Sequence, residues 1–260
     1  MPYADSSGTS IYYEVHGDGP PVVLVHGSGG NHAAWWQQIA GLQKRFTVVT
    51  IDLRGFGKSQ SDSDAYEEKD FAGDIVAVLD AADLNDAILL GQSIGAAAAL
   101  RAGLRSPARV IGVILSNSVG GLKDEGLAAL VRADRAKAEK LPVLDRLMSK
   151  KYLETQPALV LLFRQMGTFN AASMQGIRQL TNEGPTAKDV LDSGIGVAFL
   201  AGERDAVMSP ATVTVAHKLL PGSILKVVDD APHSMYWESA DIYNAAIEWL
   251  ADQLIAKKRR

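Results

Sequence analysis

An α/β architecture, with a mostly parallel central sheet, helices on both faces and an inserted helical cap, is predicted by three observations. Short, continuously apolar runs recur along the 260 residues, and helical patterns separate most of them. The alternation lapses over residues 119–187 and then resumes. Strands that are apolar throughout, rather than at every second residue, belong to parallel sheets covered on both faces.

The elements follow in order. "TSIYYEVHGDGPP" alternates and closes on a Gly/Pro turn, so it reads as an antiparallel edge strand or hairpin. Apolar, β-rich runs at 22–25, 48–51, 87–90, 110–115, 197–200 and 224–228 supply the core strands. Between residues 119 and 187 the pattern is helical only, as in "GLAALVRADRAKAEKL" and "LPVLDRLMSKKYLETQPALVLLFRQM", broken by Pro142 and Pro157. The expected organisation is therefore a core of residues 1–118 and 188–260 with a cap at 119–187. The cap holds ten Lys and Arg against seven acids, a net +3 over an acidic remainder. That balance suits an acidic substrate, and solvated helix faces explain it equally well. The final pattern, "YNAAIEWLADQLIA", is helical, so Lys257, Lys258, Arg259 and Arg260 complement the negative end of its dipole.

Composition narrows the partners. A net charge of -4 gives no general basic field for nucleic acid. The absence of cysteine excludes disulfides, thiolate metal sites and a cysteine nucleophile, and fits a reducing compartment. "MPYADSSGTS" lacks a signal-peptide pattern, and no apolar run nears the roughly 20 residues of a membrane span. The expectation is a cytoplasmic protein that binds a small molecule, not nucleic acid or membrane.

The chemistry is read from four segments. Gly91-Gln92-Ser93-Ile94-Gly95 matches G-x-S-x-G between a strand and a helix, where a sharp turn pushes the serine oxygen outward. Glycines leave room for the turn, and Ala96 to Ala99 let the helix approach the sheet. A serine needs a base, and that base must be oriented. Of five histidines, His16, His217, His26 and His32 sit in a strand region, a helical pattern and the first glycine loop. His233, in "DDAPHSMYWES", follows the last core strand and is the candidate base. In "VAFLAGERDAVMSP", Asp205 lies just beyond a strand end and is the candidate orienting acid. Glu203 precedes it by two residues, while Asp229 and Asp230 are too near His233 in sequence to turn and face it. Ser116 and Asn117, after the strand ending at Leu115, offer no acid. All three chosen groups lie beyond carboxyl ends of strands, where open α/β sheets place their sites. In "VVLVHGSGGNHAAWW", glycines after a strand let backbone N–H groups converge on an oxyanion, each worth about 3 to 4 kcal/mol. Ser28 and Ile94 are the expected donors, with Gly27 less favoured and His26 a structural support. The loop lacks the G-K-[ST] ending of a phosphate loop.

With these segments and "IDLRGFGKS" (51–59), the chain resembles the α/β-hydrolase fold superfamily over most of its core. The resemblance makes Asp52 and Arg54 parts of a structural turn. It also excludes several branches. Epoxide hydrolases and haloalkane dehalogenases carry Asp where Ser93 stands, and dienelactone hydrolases carry Cys. Hydroxynitrile lyases place a Lys shortly after the acid, where this chain has Ala206, Val207 and Met208. Carbon-carbon bond hydrolases commonly follow the histidine with Trp; here Ser234 follows, with Trp237 further on, which weakens that branch without excluding it. Cofactor-free haloperoxidases usually carry Pro in the first loop, and "HGSGGN" has none.

The implied activity is hydrolysis of a small, largely apolar carboxylic ester or lactone through an acyl-enzyme, without cofactor or metal. Alternatives are a carbon-carbon bond hydrolase, a haloperoxidase or perhydrolase, or a slow-turnover ligand receptor that keeps the triad. A homodimer is a possible assembly. Trp36, Phe163, Met166 and Trp237 are the expected substrate contacts, among the flanking Trp35, Tyr236, Met148, Phe169 and Met174.

Overall fold

In the computed structural model, residues 2–61, 66–172, 177–178 and 184–258 are described. The strands in chain order are β1 (Tyr3–Ser6), β2 (Thr9–His16), β3 (Pro21–Val25), β4 (Thr47–Ile51), β5 (Tyr66–Glu67), β6 (Ala87–Gln92), β7 (Val110–Ser116), β8 (Ile177–Arg178), β9 (Gly196–Gly202) and β10 (Ile224–Val228). Eight of them form one sheet in the order β1-β2-β4-β3-β6-β7-β9-β10, while β5 and β8 pair apart from it. From β4 to β10 every pairing in the main sheet is parallel, and β2 runs antiparallel to both neighbours. Val25 lies opposite Ile51 on one side and Gly91 on the other. The chain therefore leaves β3 toward one edge of the sheet and returns at β6 on the other side. The resulting crevice at the strands' carboxyl ends is where doubly wound sheets bind ligands.

Period-two geometry explains why the strands are apolar throughout. Val23, Val25, Leu89 and Val113 pack on one side, with the helices Glu68–Ala81, Ile94–Arg105 and Pro210–Leu219. Val22, Leu24, Ile88 and Ile114 pack on the other, with Trp35, Leu42 and the helix Ala240–Lys258. Each such side chain, fully buried, contributes about 1.5–3 kcal/mol. At that helix end Lys258 pairs with Asp86, and Lys257 donates to the Gly222 carbonyl (2.8 Å). Arg259 and Arg260 lie outside the described residues.

The alternating N-terminal run lies in an antiparallel hairpin: β2 pairs with β1 across a tight turn, Ser7 and Gly8, that takes positive φ at both positions (53° and 84°), and β1 takes the edge. Four residues are too few for β1 to carry a visible period. The stretch read as purely helical contains β8, held by pairing with β5 and not by its own pattern.

Between β7 and β9 lie the helices Glu125–Ala138, Val143–Leu147, Lys150–Thr155, Pro157–Gly167 and Ala187–Ser193. Side-chain hydrogen bonds tie this stretch to helices and loops of the rest of the fold. Asp134 accepts from Ser209 N–H (3.0 Å), Ser209 Oγ (2.7 Å) and Thr212 Oγ1 (2.7 Å). Ser149 donates to Glu238 through N–H (2.9 Å) and Oγ (2.5 Å). Asn31 Nδ2 donates to Met166 O (3.1 Å), and Asn170 Nδ2 to Gly30 O (3.1 Å). Among the described residues no helix is long and apolar enough to cross a membrane.

The junction of β3, β6 and the helix Ile94–Arg105 tolerates no side chain. A Cβ on Gly95 would lie 2.5 Å from both the Val25 and His26 carbonyl oxygens. Backbone atoms cannot step aside as a side chain can, so Gly95→Ala is expected to cost about 2–3 kcal/mol or more. A urea midpoint equal to that of the wild type would show that the helix moves freely at this point.

Candidate active site

Ser93 links β6 to the helix Ile94–Arg105 with φ 54° and ψ −117°, a left-handed conformation costly for any residue with a Cβ. Its N–H donates to Ser116 O (2.9 Å), tying the turn to the end of β7. A Cβ on Gly91 would lie 2.2 Å from Gly95 O, so both flanking glycines are required by space. Helix geometry leaves the first N–H groups, Ile94 included, without intrahelical acceptors. Across the crevice, Gly30 N–H closes a turn on Gly27 O (3.1 Å), which places Ser28 in the turn. Ser28, Ser93, Ile94 and His233 line one cavity of about 620 Å³.

Asp205, just beyond β9, is buried and faces four donors. Val207 N–H (2.7 Å) and Met208 N–H (2.9 Å) reach Oδ1, Asn117 Nδ2 (2.9 Å) reaches Oδ2, and His233 Nδ1 is 2.9–3.0 Å from both oxygens. With Nδ1–H directed at the carboxylate, Nε2 is the imidazole nitrogen left to act as a base. Two of the rivals are engaged elsewhere: Glu203 accepts from Asp230 N–H (2.9 Å), and Asp230 pairs with Arg204. Among the described residues Ser93 Oγ has no hydrogen-bond partner, so the acid–imidazole link is formed and the serine–imidazole link is not. Catalytic hydrogen bonds of the second kind commonly tighten only with substrate in place.

Asn117 escaped the reading of the sequence, which weighed the end of β7 only for an acid. It has φ 52°, and its side chain is oriented by a chain of hydroxyls. Tyr243 OH donates to Ser116 Oγ (3.0 Å), and Ser116 Oγ to Asn117 Oδ1 (3.0 Å). That leaves the Asn117 amide nitrogen to donate to Asp205. The polar triplet Ser116-Asn117-Ser118 after a wholly apolar strand was the available signal.

Three expected substrate contacts are not on the cavity wall. Trp36 is 44% exposed, and Trp237 is buried with its ring edge-on to Trp36 and Phe163. Met166 is buried in the core cluster. Trp237 and Met166 turn into the packing between helices, and Trp36 turns toward solvent. Phe163 and Tyr236 do line the cavity. Trp35 and Met148 are buried in the core, Phe169 is 69% exposed, and Met174 lies outside the described residues.

The glycine loop is braced from below. His26 Nδ1–H donates to Gly27 O (2.8 Å), and Nε2 accepts from Leu53 N–H (3.1 Å), a pattern that requires the neutral ring. Burial holds the His26 imidazole below its ordinary value, against the opposing pull of Asp52. Burial pushes the Asp52 carboxyl up, but the hydrogen bond from His32 and the electrostatic interaction with the two imidazoles outweigh it and leave the group depressed. Asp52 also accepts from His32 N–H (2.5 Å) and Lys58 N–H (2.8 Å), and Arg54 clamps Asp74 (2.6 Å). Both residues therefore serve the turn. Because His26 has a lower pKa folded than unfolded, the unfolded chain takes up protons first. Stability is full above the unfolded value of about 6.5 and falls by up to about 1.4 kcal/mol per pH unit below it. Urea midpoints from pH 7.5 to 5.5 should fall less steeply in His26→Asn than in the wild type. Equal slopes would show that His26 does not carry the effect.

The fold, and a serine on a positive-φ turn beside an acid-paired histidine, define the architecture of an α/β hydrolase. Residues 20–240 match the family model described as alpha/beta hydrolase fold, and the chain belongs to that family. A relative in Azorhizobium caulinodans, named "Putative carbamate hydrolase", is 25% identical over 94% of this chain and 96% of its own. An esterase from Thermogutta terrifontis superposes with a TM-score of 0.79 at 24% identity, over 97% of this chain and 98% of that one. A bromoperoxidase from Bacillus anthracis superposes with a TM-score of 0.77 at 22% identity, over 96% and 99%. At these identities the two structures show a shared fold.

Proposed function

We propose that the chain is a serine hydrolase that cleaves a carboxylic ester or lactone of a small, largely apolar substrate. The observation that carries this reading is the shared cavity: Ser93 on its strained turn and His233 held by Asp205 face one space. Ser93 Oγ attacks the carbonyl carbon as His233 Nε2 takes its proton, and Asp205 stabilises the imidazolium. The oxyanion is received by the N–H groups of Ile94 and Ser28. The tetrahedral intermediate expels the alcohol, which takes the proton from His233, and an acyl-enzyme remains. Water, deprotonated by His233, then releases the acid and restores Ser93. The mostly apolar wall, with Leu122, Leu127, Val131, Leu147 and Phe163, supports an apolar acyl or ring group.

Fluorophosphonate labelling with peptide mapping, alongside steady-state turnover of short p-nitrophenyl esters and lactones, tests the reading. Modification of Ser93 with continuous turnover is expected. Modification elsewhere, or none, would remove the serine-hydrolase assignment. A single burst without further release would instead identify a slow-turnover receptor.

A further inference from the structure

One wall of the cavity changes character along a single helix. Leu127, Val131 and Arg135 line it at four-residue intervals on the helix Glu125–Ala138, followed by Ala138 and Glu139. Four-residue spacing keeps side chains on one face, and eight residues separate Arg135 from Leu127 by roughly 12 Å along the axis. The face is thus apolar at its start and cationic further on. Arg146 joins the same wall. Its Nε and Nη2 donate to the Leu141 (2.8 Å) and Glu139 (3.4 Å) carbonyl oxygens, which fixes the plane of the guanidinium. Among the described residues its Nη1, and the whole Arg135 guanidinium, have no hydrogen-bond or ion-pair partner. The Glu139 carboxylate on this wall is likewise unpaired among the described residues, so the three charges sum to one positive.

Resting on the ester-hydrolase reading above, we propose that the substrate carries a carboxylate. Its scissile carbonyl sits at Ser93, its apolar body lies along Leu127 and Val131, and its carboxylate is received by Arg135 and Arg146. Guanidinium groups match carboxylates in planar, two-point geometry, and here Arg135 stands exposed while Arg146 is half-buried. Glu139 opposes any anion there and disfavours a dianion. The charge of the helical segment, positive over an acidic core, points the same way.

The test compares p-nitrophenyl hydrogen adipate with the neutral p-nitrophenyl hexanoate, a matched pair differing in the terminal carboxylate. In the wild type kcat/KM is expected to favour the carboxylated ester. The carboxylated-to-neutral ratio should fall on the order of tenfold in Arg135→Gln, mainly through KM, further in Arg135→Gln/Arg146→Gln, and rise in Glu139→Gln. Since Arg146 also braces main-chain carbonyls, Arg135→Gln and Glu139→Gln carry the test if the double variant does not fold. Ratios equal across wild type, Arg135→Gln and Glu139→Gln would overturn the proposal. If neither ester turns over, the hydrolase reading fails separately. Calorimetric binding of monomethyl adipate and methyl hexanoate to Ser93→Ala then decides the inference on the same ratio.

Discussion

Ser93→Ala is expected to lower kcat on a short p-nitrophenyl ester by about 10⁶-fold while leaving KM within a few-fold of the wild type. The substitution removes the nucleophile and nothing that binds. The cavity wall, the Asp205–His233 pair and the N–H groups of Ser28 and Ile94 all remain. What survives is the residual catalysis of the proposed oxyanion donors and of binding alone, on the order of 10³–10⁴ over water. Folding should change little, because alanine meets the same penalty as serine at φ 54°. Thermal unfolding therefore separates a chemical loss from a structural one. A variant within tenfold of wild-type kcat, and equally well folded, would show that Ser93 does not attack the substrate.

The strand–turn–helix around Ser93 was legible because each of its requirements is local: an apolar run, two glycines with no room for Cβ atoms, and small residues in the first helical turns. Strand identities were legible for a similar reason, since burial on both faces leaves continuous apolar runs. Long-range pairing was not. β1 and β8 are too short to show a period, and each exists through a partner, β2 or β5. Asp205 and His233 could be chosen by their positions after strands, but their contact spans 28 residues of sequence and depends on sheet order. The side chains between residues 119 and 187 were the least legible. An aromatic at helical spacing has the same pattern whether it faces a cavity, as Phe163 does, or its neighbours, as Trp237 does. Only the packing of the helices decides which.

Three contacts of the helical segment lie beside the groups proposed for chemistry. Asp134 holds Ser209, next to Met208, whose N–H binds Asp205. Ser234 N–H, adjacent to His233, donates to Leu147 O (2.9 Å). Asn170 reaches Gly30 in the glycine loop. The wall proposed to face the substrate and the proposed reacting groups thus share supports, and substitutions in this segment should move kcat as well as KM.

Asp205→Asn is expected to reduce kcat by about 10⁴-fold with the fold retained. The direction follows from counting donors. Val207 N–H, Met208 N–H, Asn117 Nδ2 and His233 Nδ1–H all point at the two carboxylate oxygens. An asparagine has one acceptor oxygen and a donor NH₂, so one pair of these donors must face another donor. The backbone pair at Val207 and Met208 cannot reverse, so the amide oxygen is held there and its NH₂ turns toward Asn117 and His233. The imidazole relieves the clash by moving its proton from Nδ1 to Nε2. An Nε2–H ring cannot accept the Ser93 proton, and it no longer has a carboxylate to stabilise its cation. Asn117→Ala removes one donor and leaves the carboxylate in place, so about a tenfold loss is expected. In the double variant the two losses should not add, because the groups act through one imidazole. Ester kinetics on the two single variants and the double would show this. A loss below tenfold in Asp205→Asn would mean that the His233 tautomer is set by something other than Asp205.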